Sequence, residues 1–208
     1  MKRQYLALAV LIILYAVGVF AFVTNWDEVI MLTPVNLMIS FLAITLTNDV
    51  IDRRMVAFIV AGWTLGYGIE VIGVQTGWPF GSYYYQEVLG TKVMDTPLLI
   101  GINWLILLFC TRAVTDRFFG HYLLVFKAGI ASLLMVFLDI LIEPVAISYD
   151  FWQWEASTIP LSNYIAWFVI AYILHILQYQ LVRTYKNLTA IGLFIIQVLF
   201  FGLINLIK

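Results

Sequence analysis

Residues 55–85 read MVAFIVAGWTLGYGIEVIGVQTGWPFGSYYY: an apolar run of helix length that carries Glu70 near its end, then breaks at Gly73 into an aromatic loop. The arrangement recurs downstream. Asp139 sits in a second apolar run and is followed by ILIEPVAISYDFWQW, residues 140–154. An acid inside a hydrocarbon-embedded helix is costly, and function is the usual reason for keeping one. Neither run alternates with period two, so both predict membrane helices rather than strands.

Composition extends this reading to the whole chain. Of 208 residues 63% are hydrophobic and only 11% charged, and the mean hydropathy is +0.99. A soluble surface needs about a quarter of its residues charged. The chain therefore predicts an all-α, polytopic membrane helix bundle, one integral membrane domain over 1–208, with two aromatic-rich outer loops. A net charge of −1 gives no reason to expect nucleic acid or an anionic partner. The lone Cys110 excludes an internal disulfide. The run from Tyr5 to Val23 is too long for a signal-peptide core and lacks a following Ala-x-Ala site, so it reads as the first span.

Seven runs approach the roughly 20 apolar residues a span requires: 4–23, 30–47, 55–73, 97–114, 121–142, 164–181 and 188–207. Alternating them puts Lys2, Arg3, Arg53, Arg54, Arg112, Arg117, Arg183 and Lys186 on one face, against Lys92 and Lys208 on the other. Lys127, within two turns of the basic side, is close enough to snorkel. By the positive-inside rule the N-terminus is cytoplasmic and the C-terminus outside, in a cell inner membrane. The acids do the reverse: Asp27, Glu28, Glu87, Asp95, Glu143, Asp150 and Glu155 fall in outer segments. Trp26, Trp78, Trp152 and Trp154 join them there.

At a rise of about 1.5 Å per residue, Glu70 and Asp139 lie roughly 5–8 Å below the outer helix ends if Gly73 and Pro144 are the breaks. Asn36 and Asn103 fall at similar or slightly greater depth, so four polar side chains from four helices share one slab. Plainer readings exist for each. Asn in a membrane helix serves as interhelical glue. Acids near an interface reach headgroup water, and Glu143, beside Pro144, reads as a solvated helix end. Trp and Tyr in outer loops form an interfacial belt. His175 reads as a buried, hydrogen-bonded side chain and His121 as interfacial; their separation, with no His-x-x-x-His or Cys-x-x-Cys spacing, argues against a metal centre.

Proton transfer is what submerged acids do well. A carboxyl group cut off from water holds its proton more tightly, and a second acid nearby reinforces this. Such an acid can protonate a carbon–carbon double bond, aromatic faces can stabilise the cation, and a held water can attack it. This toolkit hydrates an isoprenoid alkene without a cofactor.

The motif Glu70-x-x-Gly73-x-x-Thr76-Gly77-x-Pro79-Phe80-Gly81-x-Tyr83-x-Tyr85, then Leu89-Gly90, resembles the first block of the carotenoid 1,2-hydratase family. Asp139-x-x-x-Glu143-Pro144, Trp152-x-Trp154 and Pro160-x-x-Asn163-x-x-x-Trp167 resemble its second block. The chain departs from the family in having Glu143-Pro144 for Asp-Pro and Ser157-Thr158-Ile159 for Tyr-Tyr-Gly. The resemblance implies hydration of the terminal ψ-end double bond of a carotenoid, of γ-carotene, lycopene or bisanhydrobacterioruberin type, to a tertiary 1-hydroxy end. Together with the shared slab and the aromatic loops, it points to Glu70, Asp139 and Glu143 as catalytic acids, and to Asn36, Asn103, Trp78, Phe80, Tyr83, Tyr85, Trp152, Trp154 and Asn163 around the substrate. No cofactor is implied. The partners implied are a carotenoid drawn from the lipid phase, membrane lipid and other carotenoid enzymes.

Three rivals share some of these features. A membrane lycopene cyclase uses the same protonation but closes a ring. A retinal photoreceptor needs a Schiff-base lysine in the last span, and residues 188–207 contain none. A transporter would use intramembrane acids, with broken helices and paired repeats that the sequence does not display.

Overall fold

The computed structural model describes residues 2–156, 158–182 and 185–208, so Met1, Ser157, Arg183 and Thr184 lie outside the described residues. Its helices are α1 (Lys2–Thr24), α2 (Asp27–Ile30), α3 (Thr33–Leu46), α4 (Arg53–Thr76), α5 (Leu99–Phe118), α6 (Leu124–Ser148), α7 (Leu161–Leu181) and α8 (Leu188–Ile207). Among the described residues seven helical spans are long and apolar enough to cross a membrane, α2 and α3 together forming the second. This is a multi-pass membrane bundle. Helix α5 is its axis, packed against α3, α4, α6, α7 and α8. Accordingly Trp104 to Cys110 is an unbroken buried stretch.

Polar caps set two helix starts. The Asp52 carboxylate accepts from the Met55 N–H at 2.9 Å to open α4. Asn187 accepts from Ala190 N–H at 3.1 Å and donates to the Ile44 carbonyl at 2.7 Å, tying α8 to the end of α3. The second span is interrupted at Met31–Leu32, a break the sequence does not announce. It lies at one end of the span, away from the midplane, where discontinuous transporter helices bind their cargo.

Two predicted breaks are not breaks. Helix α4 runs through Gly73 to Thr76 and is closed by Gly77 in the left-handed region, φ 73°. Gly73 is small for another reason: a Cβ there would stand 2.6 Å from the Phe80 ring and 2.8 Å from the Tyr83 hydroxyl. Helix α6 likewise passes through Pro144 to Ser148. A membrane helix tolerates proline when a neighbour satisfies the disturbed carbonyls. Here Asn205 of α8 donates at 2.8 Å to the Leu141 carbonyl, next to the Ile140 carbonyl that Pro144 leaves without its helical donor. Glu143 is therefore no solvated helix end; it is buried one turn beyond Asp139 on the same face. Both acids also lie deeper than predicted, since Glu70 is six residues and Asp139 nine from their helix ends, about 9 and 14 Å.

One basic residue expected in a loop, Arg112, lies inside the bundle. Arg112 is buried within α5, where it pairs with Asp116 at 3.2 Å and donates to the carbonyls of Gln178 and Val182. Lys127 pairs with Asp116 at 2.9 Å. These contacts clamp α5, α6 and α7 at the basic end. His175 is buried there, between Thr111 and Gln178 at 3.2 Å each.

The two aromatic loops meet each other. Strands β1 (Tyr83–Tyr85), β2 (Lys92–Val93), β3 (Thr96–Pro97) and β4 (Trp152–Trp154) form two small antiparallel ribbons, β1 with β4 and β2 with β3. In the first, Tyr83 opposes Trp154 and Tyr85 opposes Trp152. Period-two geometry then turns these four rings to one face, inward, while Tyr84 points out.

A stripe of small residues aims Glu70 at the interior. Gly62, Gly66, Glu70 and Gly73 follow one face of α4 and all are buried. A Cβ at Gly66 would sit 2.8 Å from Trp104 Cβ, the rigid root of that side chain. Gly66→Val is expected to destabilise the bundle by about 1–3 kcal/mol through overpacking. A lowered unfolding midpoint in detergent, with wild-type expression, is the expected readout.

Candidate active site

Three carboxyl groups face one small chamber, and the ribbon supplies most of their partners. Glu70 accepts three hydrogen bonds: from the Tyr83 hydroxyl at 2.5 Å, the Tyr85 hydroxyl at 2.8 Å and Trp104 Nε1 at 2.8 Å. Glu143 Oε2 accepts from Trp152 Nε1 and Trp154 Nε1, both at 3.0 Å. The Asn163 carboxamide spans the other pair, donating to Asp139 Oδ2 at 3.2 Å and Glu143 Oε1 at 3.4 Å. Each strand of the ribbon thus serves one acid. Among the described residues Asp139 accepts only the bond from Asn163.

All three carboxyls are nearly inaccessible, at 2–3% exposure. Burial first, and then the Glu70 carboxylate, push the phenols of Tyr83 and Tyr85 well above the ordinary tyrosine range. They remain protonated and donate. Aromatic faces close the walls: Trp104 stacks on Trp167 at 4.2 Å between centroids, and Tyr83 leans on Trp154 at 5.1 Å.

The void between these groups is about 20 Å³. A water needs about 10–15 Å³ of such space and two to four polar partners. Next to it runs an apolar groove of about 230 Å³, walled by Tyr15, Phe22, Asn36, Val145, Gln197 and Phe200 among others. Ile100, Asn103, Ile142 and Trp152 line both spaces and form the junction. The groove also touches Val17 of α1, Leu32 at the α2–α3 break and Val35 of α3, each about half exposed on the outside of the bundle.

Most residues predicted for the site converge on the chamber: Glu70, Asp139, Glu143, Asn103, Phe80, Tyr83, Tyr85, Trp152, Trp154 and Asn163 all line it. Two do not. Trp78 is 67% exposed at the turn after α4. Asn36 lines the groove and not the chamber, because α3 packs on α5 away from α4. Trp104 and Trp167 were not among the predicted residues. Trp167 stands in the second motif block, whereas Trp104 carries no local signal beyond its place one residue after Asn103. Among the described residues no three His, Cys, Asp or Glu side chains are grouped to hold a metal ion.

The sequence pattern of one family matches residues 27–207, almost all of these elements, and its description is carotenoid biosynthesis protein. The chain belongs to that family. Among curated proteins it is similar to the bisanhydrobacterioruberin hydratase of Haloarcula japonica, with 28% identity over 123 residues. The match covers 56% of this chain and 42% of the relative, so the chain spans about two fifths of that protein's length. No solved structure matches the chain significantly.

Proposed function

We propose that the protein hydrates the terminal ψ-end double bond of a carotenoid, without a cofactor, to a tertiary alcohol. The observation that carries this reading is the junction of an apolar groove with a water-sized chamber walled by three carboxyls. The polyene enters sideways from lipid past Val17, Leu32 and Val35, and its end group reaches Asn103 and Trp152.

Asp139 is the proton donor. An oxygen already accepting a hydrogen bond does not present a proton in that direction, and Asp139 accepts the fewest of the three acids. Its proton adds to the inner carbon of the terminal double bond, leaving a tertiary cation. The Trp152 and Trp167 rings and the Glu70 carboxylate face that charge. A water held by Glu143 and the carboxamides of Asn163 and Asn103 adds to the cation. Glu143 takes the proton released and returns it to Asp139, one turn away and bridged to it by Asn163. The sum is alkene plus water giving alcohol.

A cyclase would use the same acid and cation but must keep water from the cation. Carboxyls and carboxamides around a water-sized void favour its presence, and the curated relative is named as a hydratase. The basic end faces the cytoplasm on the positive-inside argument, so the chamber lies in the outer half of the membrane.

Pigments extracted from cells making lycopene or γ-carotene together with this chain are expected to be heavier by one water. Unchanged pigments, or a cyclised isomer of equal mass, would contradict the reading. Trp154→Phe removes one of two donors on Glu143 Oε2 while keeping most of the wall. It is expected to lower turnover about tenfold, one charge-assisted hydrogen bond, with little loss of stability. Initial rates on purified variants check this.

A further inference from the structure

The apolar groove is blind, and it stops halfway along the helices that wall it. Its deepest lining residues are Leu14 of α1, Ile39 of α3 and Gln197 of α8. Leu14 and Gln197 each lie ten residues from the helix ends at Thr24 and Ile207, and Ile39 twelve from the start of its span at Asp27. Three helices thus agree on a floor about 15–18 Å down, in a hydrocarbon core of about 30 Å. Beneath the floor the bundle is closed. Leu11, Ile44 and Leu193 are wholly buried, and a Cβ on Gly192 would collide with the Leu8 side chain, so α1 and α8 touch there.

The volume agrees with the depth. A cavity of about 150 Å³ holds one benzene ring. The groove, at about 230 Å³, therefore holds roughly ten carbons, or two isoprene units. A carotenoid is about as long as the hydrocarbon core is thick, so most of it has no place inside. The remainder leaves sideways between α1 and α3. Val17, Leu32 and Val35 line the groove above its floor and are about half exposed, which opens the wall to the outside of the bundle.

We propose that the protein encloses only the terminal two isoprene units of its ligand and leaves the rest of the chain in lipid, between α1 and α3. Selection is then made on the end group alone. Acyclic isoprenoid hydrocarbons that carry this end are accepted whatever their length, conjugation or far end. This rests on the reading of the groove as the isoprenoid's berth, but not on which reaction the chamber performs.

β-Myrcene, squalene and lycopene end in the same double bond. The first is two isoprene units long; the others are far longer, and of these only lycopene is conjugated. Binding is read as the ligand-induced rise in unfolding midpoint, which requires no turnover. Squalene is expected to bind wild-type protein within about threefold of lycopene. Val35→Trp and Val17→Trp narrow the side opening from opposite lips, at half-exposed positions outside the core. Each should weaken squalene and lycopene by at least about tenfold. β-Myrcene fits inside whole, and its binding should stay within about threefold of wild type. A preference of about tenfold or more for lycopene over squalene in wild-type protein would overturn the proposal, since the chain beyond the groove would then be read. Equal weakening of all three ligands in both variants, or weakening of none, would overturn it too, as would hydration of lycopene without hydration of squalene. Absence of any hydrated product with the binding pattern intact would remove the hydratase reading and leave this one standing.

Discussion

Asp139→Asn is expected to lower hydration by at least about a hundredfold, the lower range for removing a positioned acid, and to leave the bundle folded. The substitution keeps the volume of the side chain and keeps an oxygen for the Asn163 amide, now 3.2 Å from Oδ2. Only the acidic proton is lost. Glu143 does not replace it, because two indole N–H groups and the Asn163 amide favour its ionised form, which is the form that holds the water and takes its proton. Hydrated product per mole of purified protein, with the unfolding midpoint as control, measures the effect. Turnover within a few-fold of wild type would remove Asp139 from the role of donor.

Glu70→Leu is expected to fail differently, losing stability and activity together. Glu70 is the shared acceptor for Tyr83, Tyr85 and Trp104. Its removal orphans three buried donors, each costing about 1–3 kcal/mol. Both tyrosines belong to β1, so the ribbon that carries Trp152 and Trp154 to Glu143 is loosened too. A combined variant separates the two consequences. Adding Tyr83→Phe and Tyr85→Phe to Glu70→Leu deletes two of the stranded hydroxyls, and removing both partners of a buried bond is far milder than removing one. The triple variant should regain part of the lost stability but none of the activity. Midpoints that simply add across the three substitutions would show that these groups do not act as a unit.

The spans were legible because hydropathy and charge are local properties of the chain. The convergence of Glu70 and Asp139 was legible in part, since each acid shares a run with an aromatic sequel. What misled is tertiary. Pro144 reads as a stop until Asn205, sixty residues later, is seen serving the Leu141 carbonyl. Gly73 reads as a turn until Phe80 and Tyr83 fold back onto it. The Tyr83-x-Tyr85 and Trp152-x-Trp154 spacings are visible in the sequence, but their pairing across almost seventy residues is not. Trp78 sits among these aromatics in sequence, but it stands in the turn that the Gly81 N–H closes onto the Gly77 carbonyl, and it is exposed there.

Isotopic labelling tests the central claim most directly. Purified protein in lipid nanodiscs, given an acyclic carotenoid in heavy water enriched in oxygen-18, should yield an alcohol with oxygen-18 in its hydroxyl and one deuterium on the neighbouring carbon. Both labels should vanish with Asp139→Asn. A product carrying the deuterium without the oxygen, or no labelled product from folded wild-type protein, would contradict the account.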